Sequence, residues 1–260
     1  MLISFSVVSH GHGPHIMALL ESLVSSGLST ACGNAEVLLT LNVPEPELKA
    51  QVQQRDWPFR LVVTENAAPL GFGANHNQAF AKARGDVFAV VNPDIAFLPL
   101  DANSGPEALV MPPGVGVWVP RQVDRTGKVQ DHCRALITPW SLLARVAMRL
   151  AGARSLSGVA PTAEVADWVN GALMWFPRQV YQALGGFDER YFMYCEDADL
   201  CLRLQLAGWR MQTAPFNVLH DAQRNSLRPG KHLRWHLTSL VKFWCSATFW
   251  RYWLKKLSGK

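Results

Sequence analysis

Residues 168–210 read WVNGALMWFPRQVYQALGGFDERYFMYCEDADLCLRLQLAGWR and carry three acids close together, Glu196, Asp197 and Asp199. The acids stand at the start of a strongly helix-forming run that stops at Gly208. If a helix begins near Glu196, this residue and Asp199 lie on one face, while Asp197 points elsewhere and is free for a different task. An ordinary helix start also favours acids, because they interact with the free N–H groups of the first turn. The cluster is therefore either a site or a charged helix start.

The first part of the chain alternates strand-like and helix-like segments. Apolar runs with strand character occupy residues 3–8, 36–41 and 59–64, and helix-like segments follow the first two. This alternation predicts a mostly parallel sheet flanked by helices, in which ligands bind beyond the carboxyl ends of the strands. We therefore expect the residues that follow these strands to share one rim of the sheet; they include Ser9, His10, Asn42 and Asn66.

A glycine-containing loop at 65–77 leads into a helix predicted over 78–84, and it includes Gly71, Gly73, Asn75, His76 and Asn77. Glycines before a helix let backbone N–H groups approach a phosphate. A dinucleotide fingerprint needs a third glycine or alanine where His76 stands, so the loop is weak evidence for a dehydrogenase. The alternative is a plain helix entry, in which the glycines supply the turn and Asn75 or Asn77 caps the helix.

A further apolar run, 85–95, contains Asn92-Pro93-Asp94 near its end. A carboxylate at the carboxyl end of a central strand is well placed to bind a divalent ion, and such an ion can neutralise a departing diphosphate. An Asn-Pro-Asp turn that only ends the strand is the alternative.

Length and composition limit the class of protein. The 260 residues are 49% hydrophobic, enough for one large core or two closely joined subdomains. Five scattered cysteines without a C-x-x-C pair indicate neither a zinc site nor a disulfide framework, which fits a reducing, cytoplasmic compartment. The first residues do not resemble a signal peptide, and no charge-free apolar run reaches the roughly 18 residues of a spanning helix. The net charge of +5 is modest, and we expect no nucleic-acid partner.

Two later regions are less regular or more amphipathic. The segment 98–165 is rich in Pro and Gly, with a strand-like piece at 116–120 and a hairpin turn at 124–129, and it reads as a lid or as a solvated surface. The tail 231–260 is helical in pattern and mixes Trp with Lys, which favours a membrane-surface contact. An ordinary helix packed on the domain is the alternative.

The run from Asn170-Gly171 through Glu196-Asp197 to Arg203 resembles the acceptor-side signature of glycosyltransferase family 2, above all its rhamnosyltransferase-like bacterial members. Asn92-Pro93-Asp94 stands where that family has an Asp-x-Asp metal motif. The resemblance implies a GT-A-like single α/β domain, with a mostly parallel central sheet flanked by helices and a C-terminal amphipathic helical tail. It divides the chain into a nucleotide-sugar half (1–100), an acceptor half (101–222) and the tail (223–260).

The resemblance also assigns residues to roles. It makes Asp197 the catalytic base and places the acceptor beside Trp168, Asn170, Gly171, Glu196 and Asp199. It implies that the nucleotide-sugar donor is bound by Ser9, His10, Asn42, Asn66, Gly71, Gly73, Asn75, Asn77, Asn92 and Asp94. It assigns a Mg or Mn ion to Asp94 and His220. One departure concerns the base of the nucleotide, because Leu41-Asn42 stands where the family has Asp-Asn.

The implied activity is that of an inverting, metal-assisted glycosyltransferase in cell-surface polysaccharide synthesis. The donor would be deoxythymidine diphosphate rhamnose (dTDP-rhamnose) or a UDP-sugar, and the acceptor a saccharide or lipid-linked saccharide. The protein would lie in the cytoplasm or on the inner face of the plasma membrane, held there by 231–260. Two alternatives are a non-catalytic nucleotide- or carbohydrate-binding module and a nicotinamide-dependent oxidoreductase. Intact Asp94 and Asp197 disfavour the first, and His76 disfavours the second.

Overall fold

The computed structural model describes residues 1–28, 34–100, 109–152, 160–220 and 230–259. Its strands are β1 (Leu2–Ser9), β2 (Asn34–Leu41), β3 (Arg60–Glu65), β4 (Val87–Val91), β5 (Ile95–Phe97), β6 (Val115–Val123), β7 (Cys133–Arg134), β8 (Trp168–Val169), β9 (Leu173–Pro177) and β10 (Arg210–His220). Eight of them form the central sheet, in the order β3-β2-β1-β4-β9-β6-β10-β5, and β7 and β8 form a separate two-stranded sheet.

Helices cover the sheet. They are α1 (Gly13–Ser25), α2 (Pro46–Gln54), α3 (Phe72–Phe80), α4 (Pro139–Leu150), α5 (Arg178–Ala183), α6 (Glu196–Leu206), α7 (Lys231–Trp244) and α8 (Ala247–Leu257), with a short 3₁₀ turn at Ala163–Val165. Two groups of buried apolar side chains form the core. In the described part of the chain, none of these helices is long and apolar enough to cross a bilayer.

The first four strands confirm the predicted parallel sheet. β1 pairs in parallel with β2 on one side and β4 on the other, and β2 pairs in parallel with β3. All five residues of β4, Val87–Val91, are buried. Strands covered on both faces read as continuous apolar runs, which is why this part of the sequence shows no alternation of polar and apolar residues.

The second half adds strands of both directions. β9 runs antiparallel to β4 with Val91 opposite Leu173, β6 runs antiparallel to β9, and β10 runs parallel to β6. β5 is antiparallel to β10, with His220 opposite Ile95. As a result, the carboxyl ends of β4, β6 and β10 share one edge of the sheet with the amino ends of β5 and β9. The residues that follow β4 and precede β9 therefore meet at this edge.

The structure tests three local predictions, of which two differ from it in detail. The helix expected over 78–84 begins at Phe72 instead, so Gly73, Asn75 and Asn77 lie within α3. In the segment 98–165 the strand-like piece at 116–120 is confirmed as part of β6, whereas the twelve-residue helix α4 was not predicted. The hairpin turn at 124–129 is confirmed, because Asp124 N donates to Lys128 O across it (3.0 Å). The boundary at 222/223 between the acceptor half and the tail lies outside the described residues, and so does most of the boundary region after 100.

A buried histidine lies where α3 packs on β1. His76 Nδ1 is 2.8 Å from Ser6 Oγ, whereas its Nε2 has no described hydrogen-bond partner. Burial lowers the pKa of His76 to about 3 from an ordinary 6.5, so the imidazole stays neutral in the fold.

His76 should make the protein sensitive to acid. Below pH 6.5 the unfolded chain binds a proton at this residue that the folded chain rejects, so stability is lost as the pH falls from 6.5 toward 3. At pH 5 the loss is about 2 kcal/mol, since each unit is worth about 1.4 kcal/mol. Urea unfolding at pH 7.5 and pH 5 measures this difference, and it should shrink by about that amount in His76→Gln. An equal pH dependence in the variant would contradict the account.

Candidate functional site

Two acids far apart in the sequence lie at the same edge of the sheet. Asp94 follows β4, and the antiparallel pairing of β4 with β9 continues beyond the strands through a hydrogen bond from Asn92 N to Ala172 O (2.8 Å). The preceding residue, Gly171, donates its N–H to Asp197 Oδ2 (3.0 Å). Asp94 and Asp197 are thus connected through two neighbouring backbone contacts.

Asp197 is held by backbone N–H groups at the start of α6. Its Oδ1 accepts from Ala198 N (2.8 Å) and its Oδ2 from Gly171 N, and the side chain is half-buried. The two residues before the helix, Tyr194 and Cys195, have φ angles of 72° and 68°. This left-handed conformation costs of order 1–3 kcal/mol for each non-glycine residue, and such strain is found where surrounding contacts fix a functional group. Asp197 is a carboxylate in a fixed position that still reaches solvent.

The neighbouring acids have different surroundings. Asp199 is 1% exposed and pairs with Arg203 (2.7 Å), which also donates to Leu184 O (2.6 Å) and Gly186 O (2.8 Å). This ion pair ties α6 to the turn after α5. Glu196 is also buried, and its Oε2 has no described hydrogen-bond partner. The prediction that Asp197 points away from the face shared by Glu196 and Asp199 is confirmed, since Glu196 and Asp199 are buried and Asp197 is half-buried.

Burial shifts the proton affinities of these acids. It raises the pKa of Glu196 well above the ordinary range, and the adjacent charge of Asp197 raises it further. Burial also raises the pKa of Asp197, while the N–H groups of Ala198 and Gly171 and the charge of Arg134 oppose that rise. Asp197 is therefore a better proton acceptor than an aspartate in water, and Glu196 tends to hold a proton of its own.

Asp94 and His220 form the second part of the site. Their Oδ2 and Nε2 atoms are 3.6 Å apart, and both side chains are largely buried. Asp94 Oδ1 and His220 Nδ1 lack a described partner, although buried polar atoms are normally satisfied. A carboxylate and an imidazole so placed fit a divalent ion. Within the described residues, no third His, Cys, Asp or Glu completes such a group.

Side-chain amides link the ends of β2 and β3 to α3. Asn66 Nδ2 donates to Asn42 Oδ1 (2.8 Å) and to Asn75 Oδ1 (2.7 Å). Asn42 Nδ2 donates to Leu70 O (3.0 Å) and lies 3.3 Å from His10 Nδ1. The structure therefore brings together four of the predicted donor residues, and their hydrogen bonds hold one another in place.

The glycines and Asn77 of this region pack against the segment 187–192. A Cβ at Gly71 would lie 2.6 Å from Phe192 O, and one at Gly73 would lie 2.6 Å from Phe187 Cβ. Asn77 donates to Phe187 O (2.9 Å) and accepts from Phe187 N (3.0 Å). Close packing against Phe187 and Phe192 accounts for Gly71, Gly73 and Asn77. Neither Asn75 nor Asn77 caps α3, whose N-cap is Gly71.

The remaining predicted residues surround the same edge. Ser9 is buried, and its Oγ accepts from His12 N (3.2 Å). Asn92 is half-buried beside Asp94. Asn170 exchanges hydrogen bonds with Gln122 (2.8 and 3.3 Å). Trp168 is 5% exposed and donates through Nε1 to Ala135 O (3.0 Å), so it supports the site from inside.

Four residues near the site were not predicted. His12 and His132 lie close enough to Asp94 and His220, respectively, for their charges to interact, and burial lowers the pKa of both histidines. The other two are Gln122, beside Asn170, and Arg134, whose charge reaches Asp197. The sequence offers a signal only for His12, which follows a strand end in a turn.

The sheet topology and the two-part site define the chain as a glycosyltransferase-type domain of the GT-A fold. The mannosyltransferase PcManGT of Pyrobaculum calidifontis, solved with GDP-Man and Mn²⁺, superposes with a TM-score of 0.60 and 17% identity. The superposition covers 92% of this chain and 64% of that one, slightly less than two thirds of its length.

Sequence comparison gives the family. The model of the glycosyltransferase-like family 2 matches residues 15–236, and the chain belongs to this family. The N-acetylglucosaminyl-diphospho-decaprenol L-rhamnosyltransferase of Mycobacterium tuberculosis is 29% identical over 91% of this chain and 81% of its own length. The rhamnosyltransferase WbbL of Escherichia coli is 44% identical over 81 residues, 30% of this chain and 31% of that protein. The predicted resemblance to rhamnosyltransferase-like members of family 2 is thereby confirmed.

Proposed function

We propose that the protein is an inverting glycosyltransferase that moves a sugar, rhamnose from dTDP-rhamnose or another sugar from a UDP-sugar, to a saccharide or lipid-linked saccharide in cell-surface polysaccharide synthesis. The observation that carries this proposal is the meeting of Asp197 with the Asp94–His220 pair at one edge of the sheet. The rhamnosyltransferase names of the two bacterial relatives support the choice of sugar, and the name of the mycobacterial one supports a lipid-linked acceptor.

In this proposal Asp197 is the catalytic base. Its carboxylate takes the proton of an acceptor hydroxyl while the hydroxyl oxygen forms a bond to the anomeric carbon of the donor. The bond between that carbon and the diphosphate breaks on the opposite face, and the diphosphate leaves with the electron pair, so the configuration inverts. The raised pKa of Asp197 helps this proton transfer, and the contact with Gly171 N fixes the direction of the carboxylate.

Asp94 and His220 are proposed to hold Mg or Mn. When bound, such an ion neutralises the charge that develops on the departing diphosphate. Of the two, Mn accepts an imidazole ligand more readily than Mg. The amide network of Asn42, Asn66 and Asn75, with His10, gives the donor side a rigid wall, and Leu41 stands where the family has an aspartate.

The predicted acceptor residues divide into contacting and supporting ones. Asn170 and Gly171 flank Asp197 and are proposed to line the acceptor. Asp199 and Trp168 are buried and committed to Arg203 and Ala135, so we propose that they position this wall. Glu196, buried beside Asp197, is proposed to stay protonated and to leave the base as the charged acid of the pair.

We also propose that the tail, 231–260, contacts an anionic membrane surface together with α4. None of α4, α7 and α8 contains an acidic residue, and each carries at least two basic ones. Trp244 of α7 donates to Ile137 O just before α4 (2.8 Å), so the tail adjoins that helix. Many of the large apolar side chains that are exposed in the described residues belong to these three helices: Trp140, Leu143, Val146, Leu150, Leu237, Val241, Trp250, Leu254 and Leu257. Apolar stripes flanked by Lys and Arg match the interface of an anionic bilayer.

Replacement of the proposed base tests the function directly. Asp197→Asn should lower the transfer rate at least about 100-fold, the lower end of what general base catalysis contributes, and leave donor binding nearly unchanged. Rates of transfer and donor titrations measure the two effects. Asp56→Asn, an exposed aspartate without a described contact, is the control and should behave as the wild type. Retained turnover in Asp197→Asn would refute the assignment.

The proposed metal site predicts a different defect. Asp94→Ala and His220→Ala should each weaken donor binding in the presence of Mn and leave metal-free binding nearly unchanged, because each removes one ligand. Calorimetric titration with the nucleoside-diphosphate sugar, at several Mg and Mn concentrations, checks this expectation. An unchanged metal titration in both variants would exclude the pair as the metal site.

Membrane contact is tested with vesicles. Leu143→Glu combined with Leu254→Glu places acids in the exposed stripes of α4 and α8 and should abolish sedimentation with phosphatidylglycerol vesicles. Val110→Glu, at another exposed apolar position, is the control and should leave it intact. Binding of the wild type should fall with salt, because each basic residue near the surface is worth about 1 kcal/mol. If the wild type does not sediment with anionic vesicles, or the double variant still does, the membrane contact is wrong.

A further inference from the structure

One face of α7 lies along the loop that leads to Asp197. Ser239 Oγ donates to Met193 O (2.8 Å), and Lys242 Nζ donates to Arg190 O (2.6 Å). Tyr194 Oη lies 2.9 Å from His232 Nδ1. These contacts span the loop that enters α6, so α7 belongs structurally to the acceptor side of the site.

A second histidine stands one helical turn further along this face. The ring of His236 is 5.0 Å from the ring of Tyr194, and it is half-buried. The Tyr194 side chain thus contacts both His232 and His236, and Tyr194 and Cys195 are the two residues with left-handed backbone that precede α6. Both imidazoles therefore lie against the residue that precedes the acid cluster.

Arg134 approaches the same place from β7. Its guanidinium lies 5.1 Å from the centre of the Trp168 ring, and Asp131 holds it through Nε (3.1 Å). No described residue accepts from its Nη1, and the side chain is 38% exposed. β7 pairs with β8, and Gly171, which follows β8, donates to Asp197, so Arg134 lies near the base. Its positive charge opposes the rise in the pKa of Asp197 and, after burial, lowers the pKa of His236 on α7.

Together these three side chains offer hydrogen-bond donors beside an acceptor hydroxyl site. A fixed guanidinium recognises phosphate oxygens. The imidazole N–H groups add uncharged hydrogen-bond donors near Glu196 and Asp197. We propose that Arg134, His232 and His236 bind a phosphate group of the acceptor next to Asp197. This inference rests on the proposed function and extends it, because it gives the acceptor phosphate a site separate from the donor diphosphate at Asp94 and His220.

The site would fix where the acceptor sugar stands. If a sugar is joined directly to the bound phosphate, only its ring separates that phosphate from Asp197. A hydroxyl of the ring could then reach the carboxylate. An acceptor that lacks the phosphate would lose this anchor but keep the base. The inference therefore predicts a defect in acceptor KM that depends on the phosphate, and no defect in the donor site.

Two synthetic acceptors separate this role from a structural one. Both carry the same sugar and a short alkyl chain, joined by a diphosphate in one and by a neutral linker in the other. Arg134→Ala and His236→Ala should raise the KM of the diphosphate acceptor about 10- to 100-fold, the range for loss of one charge-assisted hydrogen bond. The KM of the neutral acceptor and of the donor should stay within about twofold. Arg134→Lys should recover part of the loss, and Arg84→Ala, an exposed arginine whose side chain has no described contact, should cause none.

A binding measurement makes the inference independent of turnover. The diphosphate compound is titrated into Asp197→Asn protein in the presence of EDTA, so that neither the reaction nor the metal site contributes. When Arg134→Ala is combined with Asp197→Asn, binding of the diphosphate compound should weaken by the same factor of about 10 to 100. Equal effects on the neutral and diphosphate acceptors, or unchanged binding in this titration, would overturn the phosphate site. Absence of transfer with every acceptor, combined with binding that depends on Arg134, would refute the proposed function and leave the phosphate site standing.

Discussion

The hydrogen bond from Gly171 N to Asp197 Oδ2 is the contact on which the site depends. It joins the start of α6 to Gly171, two residues before β9, and β9 pairs directly with β4, after which Asp94 follows. The carboxylate therefore has a fixed direction, and its position relative to Asp94 is set by backbone pairing instead of flexible side chains. Glycine is suited to this place, because a Cβ at Gly171 would approach the Phe72 ring to 3.2 Å.

Around this contact the acids separate into different tasks. Asp199 stabilises the fold through Arg203, and Glu196 is buried and inclined to be protonated. Asp197 remains as the half-buried acid with two N–H donors and a raised pKa. Asp94 instead lies beside His220, and each of the two has a buried polar atom without a described hydrogen-bond partner. Charge that develops on an incoming hydroxyl and on a departing diphosphate can thus be met by separate groups, which is what a displacement with inversion requires.

The sequence was sufficient for the parts of the fold that follow from local chemistry. Continuous apolar runs predicted β1 to β4, and the acids before a helix-forming run predicted the start of α6 at Glu196. It was not sufficient where long-range packing decides. The start of α3 at Phe72 depends on Phe72 N donating to Phe192 O (2.8 Å), which no nearby residue announces. Asn77 resembled a cap or a ligand, yet its partner Phe187 is 110 residues away. Arg134 lies on a two-residue strand, and its approach to Asp197 follows from the pairing of β7 with β8.

The central claim is that Asp197 and Asp94 serve opposite faces of one anomeric carbon. The most direct test is to incubate the protein with a panel of nucleoside-diphosphate sugars, a divalent ion and a saccharide–diphosphate–alkyl acceptor, and to determine the anomeric configuration of any product by NMR. The account predicts transfer from a rhamnose donor with the configuration opposite to that of the donor. A product with retained configuration, or no transfer from any donor in the panel, would contradict it.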